Sequence, residues 1–218
     1  MKKSFLVIGL GRYGANIVKV LAMNKCDCLA IDVKEECVKQ VSKYNQNCLI
    51  ADGTKYEVLK ELDANKFSHV IVAIGNNLQA SILTVLNLKK LGCPLITVRT
   101  DDAEYKEIFK SLGANDVIVP EEDSAISTGN QILSDSVLDY YDISDDYAIV
   151  KVVVNDNFKG GKLVDLNFRN KYDVNIVGII RCDRFFIPRG QDTVNPGDVL
   201  VIVGENEKVF KFDSIINK

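Results

Sequence analysis

The sequence predicts an α/β chain: a doubly wound parallel sheet followed by a small α+β unit. Three observations predict it. Short β-branched apolar runs alternate with helical patterns through about the first 120 residues, as repeated βα units on a parallel sheet require. A glycine turn, Gly9-Leu10-Gly11-Arg12-Tyr13-Gly14, joins the first run to the first helical pattern. Beyond the acidic, polar stretch 142–146 the alternation gives way to short strands around one helix.

Ser4–Ile8 reads as the first strand and residues 15–24 as the helix it feeds. Residues 28–31 read as a second strand, 35–43 as a helix with Val38 and Val41 on one face, 48–51 as a third strand and 55–62 as a further helix. The near-continuous apolar run 69–74 fits a strand covered on both faces, and Leu78–Leu91 follows as an amphipathic helix stopped by Gly92. A strand at 95–99, a helix at 103–112 and a strand at 117–119 complete six βα steps. Pro120 breaks that strand, and Glu121, Glu122 and Asp123 open a helix to about Tyr140, its start favoured by carboxylates beside the helix dipole. Residues 147–154 then read as a strand, 162–172 as one helix, and 174–181, 185–187 and 199–203 as short strands. The simplest division is into domains at 1–141 and 142–218, the second small enough to favour dimerisation.

A hydrophobic content of 47% is what a folded core needs, so disorder is excluded. The 27 Lys and Arg against 30 Asp and Glu leave a net charge of −3, with no basic excess to neutralise nucleic-acid phosphates. No apolar run approaches the roughly 20 residues that span a bilayer, and Lys2-Lys3 leads into a short strand rather than a signal-peptide core. The expectation is a cytosolic chain that meets a membrane only through a partner. Six cysteines without a CxxC pair, and one histidine, His69, inside an apolar strand, argue against zinc.

The glycine turn follows a strand and opens a helix, the context that lifts the pattern above chance. Gly9 permits the tight turn, Gly11 lets backbone approach a phosphate, Gly14 lets helix and strand pack closely, and the helix start offers free N–H groups to an anion. Asp32 ends the second strand 18 residues after Gly14, where a carboxylate accepts hydrogen bonds from a ribose diol and disfavours a 2′-phosphate. It suits the ribose of NAD and of ATP alike. Asp52-Gly53-Thr54 and Gly75-Asn76-Asn77 are polar loops at the carboxyl ends of the third and fourth strands. Candidate nucleotide contacts are therefore Gly9, Gly11, Arg12, Tyr13, Gly14, Asp32, Val33, Asp52, Gly53, Thr54, Ala73, Ile74, Gly75 and Asn76. Arg12 suits an extra phosphate or one on a neighbouring subunit; an exposed arginine is the plain alternative. Hydride transfer needs a general acid or base in a substrate domain, and the remaining sequence shows no such constellation, so no enzyme is expected.

The chain resembles the RCK (KTN/TrkA-type) regulatory proteins, and within them the gating subunits of bacterial Ktr potassium transporters. The residues that carry the likeness are Val7 to Gly14, Ala30-Ile31-Asp32, Ala51-Asp52-Gly53-Thr54, Val70-Ile71-Val72-Ala73-Ile74-Gly75 with Gln79-Ala80-Ser81, Gly113-Ala114-Asn115 and Val119-Pro120-Glu121. Asp165-Leu166-Asn167-Phe168-Arg169 and Pro196-Gly197-Asp198-Val199-Leu200 extend it to the second half. The resemblance implies a Rossmann-like RCK N-terminal nucleotide-binding domain at 1–141, crossover helix included, and an RCK C-terminal (TrkA-C) ligand-binding and dimerisation domain at 142–218. It implies dimers assembling into an octameric ring beneath a membrane-embedded potassium-translocating subunit of the KtrB, KtrD or TrkH kind. ATP and ADP would act oppositely on that ring, with Arg12 reaching the terminal phosphate across the subunit interface and Arg99 near the same site. Glu121 would help to hold a divalent cation, Mg or Ca, between subunits; a helix-start acid is its plain reading. Arg169, Asn175 and Ile176 would bind cyclic di-AMP. Ile126, Ile132, Leu133, Val137 and Leu138 would serve the crossover interface, or ordinary core. An NAD(H)-responsive TrkA-like regulator, and behind it an NAD-dependent oxidoreductase, remain the alternatives.

Overall fold

A computed structural model describes residues 3–75, 77–144 and 146–217, which form two compact units, Met1–Glu122 and Asp123–Lys218. In the first unit the elements run β1 (Ser4–Ile8), α1 (Arg12–Met23), β2 (Asp27–Asp32), α2 (Glu35–Val41), β3 (Cys48–Ile50), α3 (Tyr56–Glu61), β4 (His69–Val72), α4 (Leu78–Leu91), β5 (Ile96–Arg99), α5 (Lys106–Ser111) and β6 (Asp116–Ile118), with short 3₁₀ turns at Ala64–Lys66 and Ala103–Tyr105. All six strands are parallel, in the order β3-β2-β1-β4-β5-β6. The order reverses between β1 and β4, so a crevice opens above their carboxyl ends.

Successive residues of a strand face opposite sides, and here both sides are apolar. Leu6, Ile8, Ile31, Val70 and Val72 pack with Leu59, Val85, Leu88 and Phe109 from α3, α4 and α5. Val7, Ala30 and Ile71 pack on the other face with Val18 of α1 and Val38 and Val41 of α2. Burying each such side chain contributes about 1.5–3 kcal/mol, which makes the strand ends a rigid frame.

Helix α6 (Pro120–Ile132) opens on its proline, whose missing N–H costs nothing at a first helical position. It stops at Ile132, short of the expected end near Tyr140. Residues Val137–Asp142 instead form β7, because Ser134-Asp135-Ser136 makes a turn and Val137, Tyr140 and Tyr141 suit a pleated strand. The division into units accordingly falls well before the expected position near 142.

The second unit adds β8 (Tyr147–Val153), β9 (Gly161–Lys162), α7 (Leu163–Leu166), α8 (Phe168–Tyr172), β10 (Asn175–Arg181), β11 (Arg184–Phe186), β12 (Thr193–Val194), β13 (Val199–Glu205) and α9 (Asn206–Ile216). Its main sheet is antiparallel, in the order β11-β10-β13-β8-β7, and β9 with β12 makes a two-stranded ribbon. The single helix expected at 162–172 is broken by Asn167, which adopts left-handed backbone at φ 52°. Helix α9, absent from the sequence-based expectation, buries Val209, Phe212 and Ile216, and Phe212 meets Phe168 edge-on at 4.9 Å. Of the proposed crossover residues, Val137 is core, whereas Ile126, Ile132, Leu133 and Leu138 are exposed.

Candidate functional site

The three glycines divide their work. A Cβ on Gly9 would lie 2.7 Å from the Ala73 carbonyl carbon, and Gly9 holds φ at +93°, so the turn needs a residue without a side chain. A Cβ on Gly14 would come 1.9 Å from the Gly9 carbonyl oxygen, so α1 can start beside β1 only through glycine. Gly11 is different: a Cβ there would meet nothing within 4 Å. It is the N-cap of α1, no side chain caps the helix, and it lines a cleft of about 520 Å³. An uncapped helix start facing an open cleft is an anion site by its backbone dipoles.

Asp32 does more than face that cleft. Its Oδ2 accepts from the Leu10 N–H at 2.6 Å and its Oδ1 from the Lys34 N–H at 2.8 Å, which fastens the glycine turn to the end of β2. Each carboxylate oxygen keeps further lone-pair capacity for a hydroxyl pair. Asp52 Oδ1 accepts both the Thr54 N–H at 3.0 Å and the Thr54 hydroxyl at 2.6 Å. The hydroxyl bond outweighs burial and holds this carboxyl below its ordinary pKa, so it is an anionic acceptor at neutral pH. Gly53 is glycine for packing, since a Cβ would meet Ile8 Cγ2 at 2.4 Å. The Asn87 side chain donates to the Thr54 carbonyl at 2.9 Å and steadies the loop from α4.

Gly9, Gly11, Asp32, Val33, Asp52, Gly53, Thr54, Ala73 and Ile74 all line the one cleft. Asn77, of the polar loop expected at 75–77, lines it too; Lys34, Cys37, Ala51 and Ala80 do so as well and were missed, and their signal was position, at the carboxyl ends of β2 and β3 and in the first turns of α2 and α4. Burial and Asp32 both raise the Cys37 thiol, which leaves it a poor nucleophile. Gly14 acts through packing, and Tyr13 packs against the α1 side of the core. Arg12 is exposed at the start of α1 and is not part of the cleft lining. Asn76 lies outside the described residues.

Gly75 and Arg99 line a second, smaller cavity of about 160 Å³. Arg99 Nη2 is bound to Glu121 Oε1 at 2.5 Å and Nη1 to Asp101 Oδ1 at 2.5 Å. Glu121 thus pairs, through Oε1, with a cation of its own chain. Among the described residues no group of three His, Cys, Asp or Glu could hold a metal ion, so one chain alone does not make the expected divalent-cation site. His69 starts β4, as the sequence places it: it is half-buried at the amino end of that strand, opposite the cleft, with Nε2 2.8 Å from the Thr97 hydroxyl. Burial lowers its pKa, consistent with a neutral structural imidazole.

In the second unit, Arg169 is exposed on α8, and Asn175 and Ile176 begin β10. The residues between them, Asn170 to Asp173, line a cavity of about 220 Å³ with Lys208, Lys211 and Phe212, none of which was a candidate. Asp198, from the Pro-Gly-Asp stretch, is structural. It is buried, binds Arg181 through Nε and Nη2 at 2.7 Å each, and takes the Asn195 N–H at 2.8 Å. Burial alone would raise its pKa, but these donors overcome that and lower it.

Comparison with known proteins decides the lineage. The TrkA-N domain matches residues 5–120 and the TrkA-C domain residues 147–217. The chain belongs to the RCK, or TrkA-type, family. Ktr system potassium uptake protein C of Bacillus subtilis is 38% identical over 214 residues, which cover 98% of this chain and 97% of that protein. Ktr system potassium uptake protein A of the same organism is 36% identical over 213 residues, 97% of this chain and 96% of its own. Among solved structures, the GsuK channel has a TM-score of 0.71 at 14% identity, and the GsuK RCK domain 0.68 at 15%. Both alignments cover all of this chain, which spans less than half of either solved chain (40% and 48%), and at such identity the likeness speaks for the fold alone. This RCK chain thus carries the two-part architecture of its family, and among its described residues no helix is long and apolar enough to cross a membrane.

Proposed function

We propose that this RCK chain is a nucleotide-binding regulatory subunit of a potassium uptake system, with ATP or ADP in the large cleft setting the state of an oligomeric ring. The observation that carries the nucleotide part is Gly11: an uncapped helix start, with no atom in the way, opens into a 520 Å³ cleft whose walls also present Asp32 and Asp52. That volume lies in the range of about 300–1,000 Å³ typical of small-molecule sites. The potassium part rests on the two Bacillus subtilis relatives, matched over nearly their whole length.

Regulation without catalysis is the economical reading. A ligand moves a two-state assembly only by its differential affinity for the two states. ATP and ADP differ by one phosphate, and Arg12, exposed and outside its own chain's cleft lining, is free to serve a phosphate held by a neighbouring copy. The resemblance supports a membrane-embedded potassium-translocating partner, an octameric ring, a cation bridged by Glu121 between subunits, and cyclic di-AMP at Arg169, Asn175 and Ile176.

Calorimetric titration of Arg12→Ala tests the switching part. ATP affinity should fall at least tenfold while ADP affinity falls less than threefold. Equal losses for both would remove Arg12 from the switching role.

A further inference from the structure

We propose that Asn87, a side chain of α4 outside the cleft, is a positioning residue for it: its amide holds the Thr54 carbonyl, and Thr54 in turn holds the Asp52 carboxylate in the cleft wall. The inference rests on the nucleotide reading of that cleft.

Three hydrogen bonds make the link. Asn87 Nδ2 donates to the Thr54 carbonyl oxygen at 2.9 Å. Thr54 donates to Asp52 Oδ1 twice, from its N–H at 3.0 Å and from its hydroxyl at 2.6 Å. Both bonds end on one oxygen, which leaves Oδ2 of Asp52 for a donor on a ligand. Asp52 and Thr54 line the cleft and Asn87 does not, so the amide acts on a ligand only through the loop.

The Thr54 carbonyl needs a donor from outside its own segment. It stands just before Lys55, the N-cap of α3, whose carbonyl takes the Leu59 N–H at 3.2 Å. No backbone N–H reaches the Thr54 carbonyl among the described residues, and a part-buried carbonyl left unpaired would draw the loop toward water. The other backbone ties are the Ala51 N–H to the Asp32 carbonyl at 3.0 Å and the Lys55 N–H to the Asp52 carbonyl at 3.1 Å. They fix the chain on either side and leave the Thr54 carbonyl to Asn87. Helix α4 is a firm place to hold it from. Val85 and Leu88 are fully buried in one core with Leu59 of α3, and Lys90 Nζ lies 4.8 Å from the centre of the Tyr56 ring, a cation–π contact that ties α4 to the start of α3.

The test uses the full chain and Asn87→Leu, which keeps the volume of a half-buried side chain and removes the donor. Without ligand, the Thr54 and Lys55 amides should exchange hydrogen at least fivefold faster while those of β1 and β4 keep their rates. By calorimetry, ADP affinity should fall about fivefold, inside the roughly two- to tenfold worth of one neutral hydrogen bond. On an Asp52→Ala background the same substitution should cost less than a further twofold, because residues that act through one another are not additive. A merely structural role predicts equal losses on both backgrounds and faster exchange throughout the sheet, and either result overturns the inference, as does unchanged exchange at Thr54 and Lys55 or unchanged ADP affinity. If Asn87→Leu does not fold, Asn87→Ala takes its place; if neither folds, Asn87 supports the fold rather than the cleft and the inference fails. Failure of the unaltered protein to bind ADP overturns the nucleotide reading, and the ligand-free exchange then judges the link between Asn87 and the loop by itself.

Discussion

Gly11 and Gly14 stand three residues apart and answer to different forces. Gly14→Ala would drive a methyl into the Gly9 carbonyl oxygen at 1.9 Å, a backbone atom that cannot swing aside, so it should cost more than about 3 kcal/mol of stability. Gly11→Ala meets open space at an extended φ/ψ that alanine adopts, so its stability cost should stay near 1 kcal/mol, the ordinary price of a weaker N-cap. Its methyl stands where a phosphate would approach, and ADP affinity should fall at least tenfold. Urea unfolding and calorimetry on both variants check this pair; a Gly11→Ala protein that is stable and binds ADP undiminished would contradict the assigned phosphate position. The spacing of the glycines was legible in the sequence, as was Asp32. What the sequence hid was that Asp32 also ties down Leu10 and Lys34, because backbone N–H partners leave no trace in residue type.

At the scale of elements, helix and strand assignments followed periodicity wherever an element is covered on a defined face. Leu78–Leu91 was legible to the residue, since Asn77 caps it through the Ala80 N–H and Gly92 ends it at φ +78°. The stretch after Ile132 was not. A bulge between Val137 and Asp139 breaks the period-two pattern of β7, and only pairing with β8 makes it a strand. Helix α9 was missed for a related reason: its anchor is a long-range polar strap. Asp213, buried, accepts from Ser134 Oγ at 2.6 Å, Ser136 Oγ at 2.5 Å and Asn217 Nδ2 at 2.8 Å, which joins α9 to the turn before β7. Asp213→Ala leaves those three donors without their acceptor and should cost about 2–4 kcal/mol. Denaturant unfolding reads that loss, and a change below about 0.5 kcal/mol would mean the strap carries no stability.

For the whole molecule, six parallel strands in the order 3-2-1-4-5-6 follow from alternating βα patterns and right-handed crossovers, so the position of the crevice was readable before any coordinates. The place of Arg99 was not, because its partners Asp101 and Glu121 meet it only when β5 and the start of α6 come together. The antiparallel second unit was legible as a class and less so in detail, since its strands pair across up to 58 positions of sequence, as Tyr147 with Glu205. The central claim is that the large cleft of this RCK chain is an adenine-nucleotide site with no chemistry of its own. Titration of the purified full chain with ATP, ADP and NADH tests it most directly. The account predicts that ATP and ADP bind in competition with each other and are recovered unaltered; binding of NADH alone, with ATP and ADP inert, would contradict it.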